Sequence, residues 1–145
     1  MKTKVLLLVI FCAFLCSCNN KSTSPIIGTW QLINGKYQTA DTVVNYPGNK
    51  NGNHWKIITK SHFATIYQDT TSKKFLSTGF NGGTYTYTNG IYTESFSHSS
   101  ISNRQIGTKI TFKATVEGDK LLISPCSEDG KEKKSGNFEE YKKLD

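Results

Sequence analysis

Glu94 and His98 stand four residues apart in the run Tyr92-Thr93-Glu94-Ser95-Phe96-Ser97-His98 and form the first pair that could do chemistry. A carboxylate and an imidazole make a general acid–base couple when hydrogen bonds link them to one reacting group. This run alternates as a strand does, so the two side chains share a face but stand roughly 13 Å apart along it. That is too far for joint action. An enzyme would need a second carboxylate carried across the fold, and Glu139 is the candidate. His54, His62 and His98 are the 3 histidines, and none has ligand spacing to another. No zinc signature, phosphate loop or nucleophile motif is present, so neither metal nor cofactor is expected. Cys126 ends the run Ser124-Pro125-Cys126. It reads as a small strand-end side chain, because a reactive thiol would want a base and a positive setting. The expectation is a binding protein and not an enzyme.

The stretch that must position these groups is Gly82 to His98, GGTYTYTNGIYTESFSH. Asn89-Gly90 between two alternating runs is the preferred pair for a two-residue type I′ hairpin, in which both central residues have positive φ. That turn sets Thr88 opposite Ile91, Tyr87 opposite Tyr92 and Tyr85 opposite Glu94. Opposed residues share a face. Tyr85, Tyr87, Tyr92, Glu94, Phe96 and His98 are therefore expected on one heavy aromatic face, with threonines and serines on the other. A slip of one residue would reverse the partition. If Glu94 is buried it needs a partner, since an unpaired buried charge is costly; Tyr85 or Arg104 is the expected one.

The rest of the chain reads as further strands. Ile27 to Ile33 opens the domain, with Trp30 and Leu32 on one face. Lys36 to Asn53 reads as a loop, apart from the apolar patch Thr42-Val43-Val44. His54 to Thr59, with Trp55, Ile57 and Ile58, and His62 to Gln68, with Phe63 and Tyr67, are two more strands. Phe75 to Phe80 is open between an edge strand and a loop. Thr108 to Val116 alternates, with Ile110, Phe112, Ala114 and Val116 inward. Lys120 to Ser124 follows, and Phe138 to Leu144 closes the chain with Glu139 and Tyr141 on one face. Short sequential strands without a helical period predict an antiparallel sandwich or barrel. Closure would remove exposed edges.

Among the 145 residues 20% are charged and 12% aromatic, which fits one globular domain. Lys2 and Lys4 precede the apolar stretch Val5 to Leu15, which is too short to span a bilayer and is flanked as a signal peptide is. It runs into Leu15-Cys16-Ser17-Cys18. That end resembles the bacterial lipobox, and the resemblance implies a diacylglyceryl thioether on Cys18 as the first mature residue. The expected organisation is a signal peptide over 1–17, a lipidated tether over 18–25 and a domain over 26–145. Cys12 and Cys16 leave with the signal, so Cys126 has no partner for a disulfide. Without Lys2 and Lys4 the 18 basic residues become 16 against 11 acidic ones, a net of +5. That excess is read mainly as solvated lysines, and nucleic acid is not an expected partner.

Several motifs recur in order. Gly28-Thr29-Trp30 opens the first strand. Gly82-Gly83-Thr84-Tyr85, Tyr92-Thr93-Glu94, Gly107 ahead of Phe112, and Glu139-Glu140-Tyr141 follow. The set resembles the lipocalin-like lipoproteins of Bacteroidetes over roughly Ile26 to Leu144. The resemblance implies an all-β, eight-stranded antiparallel up-and-down β-barrel with a pocket at one end. It implies no particular ligand and supplies no catalytic residues. The expected pocket wall is Trp30, Trp55, Phe63, Tyr67, Tyr85, Tyr87, Tyr92, Glu94, Phe96, His98, Phe112 and Tyr141, since binding sites combine aromatic walls with a few converging polar groups. The expected partners are a small hydrophobic or amphipathic ligand and a membrane, reached through the lipid on Cys18. The alternatives are a ligand-free packed barrel that docks an envelope protein and, behind it, a hydrolase or isomerase. The expected location is the bacterial cell envelope, on the inner or outer membrane, facing periplasm or cell surface.

Overall fold

The computed structural model describes residues 24–46, 52–69, 78–100 and 103–145. The signal peptide, most of the tether, Cys18 and Phe75 lie outside these. The chain forms β1 (Gly28–Gln38), β2 (Val43–Tyr46), β3 (Gly52–Ile58), β4 (His62–Asp69), β5 (Thr78–Thr88), β6 (Ile91–Ser99), β7 (Lys109–Glu117), β8 (Lys120–Pro125) and β9 (Gly136–Lys143). β1 pairs antiparallel with both β2 and β3, β3 to β9 pair antiparallel in chain order, and β1 also pairs with β9 from Trp30↔Lys143 to Gln38↔Gly136, which closes the sheet. The result is the expected eight-stranded antiparallel barrel.

β2 is an addition to that plan. Its residues Val43 and Val44 fall in the stretch expected to be a loop, yet they pair with Gln38 and Tyr37. The physical reason lies in β1, whose 11 residues outrun their partner. β3 covers only Gly28 to Gln31 on that edge. The unpaired amides from Gly35 onward would otherwise form an open edge, which the chain covers by folding back. At the uncertain stretch, Thr78 to Phe80 belong to β5 and pair with β4.

The Asn89-Gly90 turn has φ of 51° and 80°, as the type I′ geometry requires. The register that follows, Tyr85↔Glu94 and Tyr87↔Tyr92, is the one the alternation predicts. It holds as far as Phe96. There Gly83 faces Phe96 while Gly82 faces His98, so Ser97 is an extra residue in β6. Such a bulge reverses the side-chain parity beyond it. Gly83 is its enabling residue, because a Cβ there would collide with the Ser95 carbonyl. A second bulge at Ile33 shifts β1 against β9.

The two ends of the barrel differ. At one end β3–β4, β5–β6 and β7–β8 are joined by short turns at 59–61, 89–90 and 118–119. Ile26 is buried at this end, and its carbonyl accepts a 2.9 Å hydrogen bond from the Trp30 indole. Trp30, Ile58, Ala114 and Leu121 pack with it in one apolar core. At the other end β1 turns into β2 over 39–42, while the described residues 103–108 and 126–135 belong to longer connections. Antiparallel strands need only two residues to turn, so these longer connections exceed what closure requires.

Candidate functional site

A cavity of about 230 Å³ lies inside the barrel on the side of the long connections. Its apolar wall is Tyr67, Phe96, Ile110 and Phe112. Its polar lining includes His54, Lys56, Thr65, Asn81, Glu94, Gln105, Asn137 and Glu139. Alternation on each strand delivers these groups: His54 and Lys56 from β3, Thr65 and Tyr67 from β4, Glu94 and Phe96 from β6. A second cleft of about 420 Å³ adjoins it and shares Gln105, Ile110, Phe112 and Asn137. The buried Cys126 lies on that cleft, and burial raises its thiol pKa, with Lys133 opposing.

The floor carries a charge network. Lys56 is 2% exposed, and its ammonium donates to Glu94 Oε1 at 3.0 Å and to Glu139 Oε2 at 3.4 Å. Tyr92 donates its hydroxyl to Glu94 Oε1 at 2.9 Å, and Tyr141 donates to Glu139 Oε2 at 2.8 Å. The rings of Tyr92, Phe112 and Tyr141 surround the ammonium at 5.6, 5.7 and 5.3 Å from their centroids. Burial alone would lower the Lys56 pKa, but the two carboxylate charges more than offset it and the pKa is raised. Burial alone would raise the Glu139 carboxyl. The Lys56 ammonium, the Tyr141 hydroxyl and His54 instead hold it below its ordinary value. Burial, then the neighbouring carboxylates, push the Tyr92 and Tyr141 hydroxyls up, so both remain donors. His54 is lowered by burial first, with Glu139 opposing and Lys56 assisting. Its ring meets the edges of Tyr46, Tyr67 and Tyr141 at 6.0 to 6.2 Å.

Four of the expected pocket residues line this cavity: Tyr67, Glu94, Phe96 and Phe112. Tyr92 and Tyr141 are wholly buried in the floor behind the two carboxylates. Trp30, Phe63, Tyr85 and Tyr87 pack toward the closed end. Phe63 meets Phe96 edge-on at 5.3 Å, and Tyr85 sends its hydroxyl to the Thr59 carbonyl at 2.6 Å. Two placements are corrected. His98 lies on the outer surface because the Ser97 bulge turned it out. Trp55 also faces outward at 41% exposure, since its neighbour Lys56 takes the inward position. Glu94 and His98 are thus on opposite sides of the barrel wall and cannot form an acid–base pair. The partner of Glu94 is Lys56 together with Tyr92, while Tyr85 bonds elsewhere; the Arg104 side chain is outside the described residues.

Lys56 is the residue sequence reasoning missed. A lysine is ordinarily the outward member of an alternating strand. The available signal was parity: Ile58 pairs with Phe63 across a short turn, and both are buried. Counting back from Ile58 brings Lys56 and His54 inside. Glu139 does cross the barrel toward Glu94, but Lys56 stands between them.

No family model matches the chain, and no curated protein matches it. Among solved structures it is similar to a lipocalin-like protein from Bacteroides uniformis, with 18% identity and a TM-score of 0.51. That match covers 83% of this chain and 99% of the other. It is also similar to an uncharacterized protein from Bacteroides eggerthii, with 16% identity, a TM-score of 0.48, and coverage of 81% and 98%. By the first of these matches the fold is that of a lipocalin-like barrel.

Proposed function

We propose that this chain is an envelope-anchored lipoprotein whose barrel binds a small, partly apolar molecule through the rim of long connections. The observation that carries the reading is the cavity itself. Aromatic walls at Tyr67, Phe96 and Phe112 meet a few converging polar groups, which is the composition of small-molecule sites. Burial of ligand surface against the rings would supply affinity, and Glu94 with its neighbours selectivity. Binding without turnover is the role proposed, with Lys56 bonded to both buried carboxylates. Native mass spectrometry of the protein purified from its own cells tests this. A retained small mass that is lost on denaturation is expected. A clean ligand-free mass after incubation with envelope extract would refute it.

One observation favours a second reading, a docking module for an envelope protein. Trp55, Ile66 and Phe80 are cross-strand neighbours on the outer face of β3, β4 and β5. Trp55 and Phe80 are 41% and 47% exposed. Under this reading Trp55→Ser with Phe80→Ser would abolish co-purification of a partner and leave any retained small mass in place.

A further inference from the structure

The cavity floor has an uncompensated charge. Glu94 and Glu139 carry two negative charges and Lys56 one positive, while burial disfavours the charged form of His54. Lys56 favours no added anion, because two of its three N–H donors already go to carboxylates and three aromatic rings surround it.

Acceptor capacity, by contrast, is left over. Lys56 and Tyr92 both bond to Oε1 of Glu94, whose residue is 3% exposed. Its Oε2 has no hydrogen-bond partner among the described residues and belongs to a side chain that lines the cavity. Asn81 lines the same cavity, and its carbonyl oxygen is buried without a partner. The unmet buried acceptor of Asn81, the unshared Glu94 oxygen and the excess negative charge are all relieved by one species: a cation that donates hydrogen bonds. Among the described residues no three histidine, cysteine or carboxylate side chains converge as a metal site would require. Tyr67, Phe96 and Phe112 offer ring surface, which accommodates an organic cation and the apolar body attached to it.

We infer that the ligand is a small organic amine, bound as its ammonium, with the ammonium at Glu94 and its apolar body against Phe96 and Phe112. The inference rests on the proposed binding function and names its ligand class. The space of about 230 Å³ suits a compact arylalkylamine, since it equals roughly eight water volumes at ~30 Å³ each.

Calorimetry on the full chain in lipid nanodiscs tests this with three probes of one shape: 2-phenylethylamine, 2-phenylethanol and 3-phenylpropionate. The amine is expected to bind at least tenfold more tightly than either of the others. Glu94→Gln should reduce the amine's advantage over the alcohol to less than threefold. If that variant does not fold, the ranking on the unaltered protein decides alone. Equal or tighter binding of the alcohol or the propionate would overturn the amine inference and leave the binding function standing. Binding of none of the three would also overturn it. The binding function would then fall only if native mass spectrometry shows no retained ligand.

Discussion

Lys56→Met isolates the charge network at the barrel floor. Methionine keeps the length of the stem and most of its apolar volume but removes the ammonium. Glu94 and Glu139 each have an oxygen within 3.4 Å of the Lys56 nitrogen. Those oxygens are therefore less than about 7 Å apart, where two negative charges repel by roughly 2–3 kcal/mol at an effective dielectric near 20. Each carboxylate also loses its only charged partner in the network. Breaking a buried pair by removing one partner costs ~3–5 kcal/mol, and that is the expected loss at pH 7. It is a large share of the total for a domain of this size, on the order of 6–18 kcal/mol. Urea unfolding followed by Trp30 and Trp55 fluorescence reads it. The loss should shrink at pH 4–5, where protons replace the missing cation. It should shrink again when Glu94→Gln and Glu139→Gln are added to Lys56→Met, because no uncompensated charge is then buried. A Lys56→Met protein within about 1 kcal/mol of the parent at pH 7 would refute the reasoning, since a solvated lysine gives that result.

Stability should fall in acid in two stages. The folded His54 pKa lies below its unfolded value near 6.5, so its contribution is present above that pH and lost as pH falls through the folded value; Glu139 behaves likewise below about 4.3. On the alkaline side the raised Lys56 value means its contribution is complete below about 10.4 and lost as pH rises through the folded value, which thermal melts across pH should follow. Trp30→Phe removes the donor to the buried Ile26 carbonyl and should cost ~1–3 kcal/mol in urea unfolding. Gly83→Ala drives a methyl into the Ser95 carbonyl and should destabilise by more than roughly 3 kcal/mol, read as loss of soluble folded protein by circular dichroism. His98→Ala should leave the melting curve within about 0.5 kcal/mol of the parent, because that imidazole is exposed.

Much of the barrel was legible in the sequence because its information is local. Asn89-Gly90 specifies the turn, the turn specifies the register, and alternation then assigns faces through Phe96. What was not legible depended on the third dimension. The Ser97 bulge is invisible to a period-two pattern, although the Gly82-Gly83 pair opposite it is a physical hint that backbones approach closely there. β2 forms because β1 outruns β3, and only the closed sheet reveals that. Lys56 is inside because two carboxylates from β6 and β9 meet it there, partners separated from it by 38 and 83 residues. The candidate site was found as an aromatic face, and its polar floor emerged only from that long-range convergence.

The most direct test of a ligand-binding barrel interior is a map of where small molecules touch the protein. Amide chemical shifts of ¹⁵N-labelled protein would be followed while the low-molecular-mass fraction of an envelope extract is added. Saturable shifts are expected at His54 and Lys56, Asn81, Glu94 and Phe96, Phe112 and Glu139. No shifts, or shifts confined to a separate groove along β1, β7, β8 and β9 that Lys36, Lys113, Leu122 and Phe138 line, would contradict a ligand-binding interior.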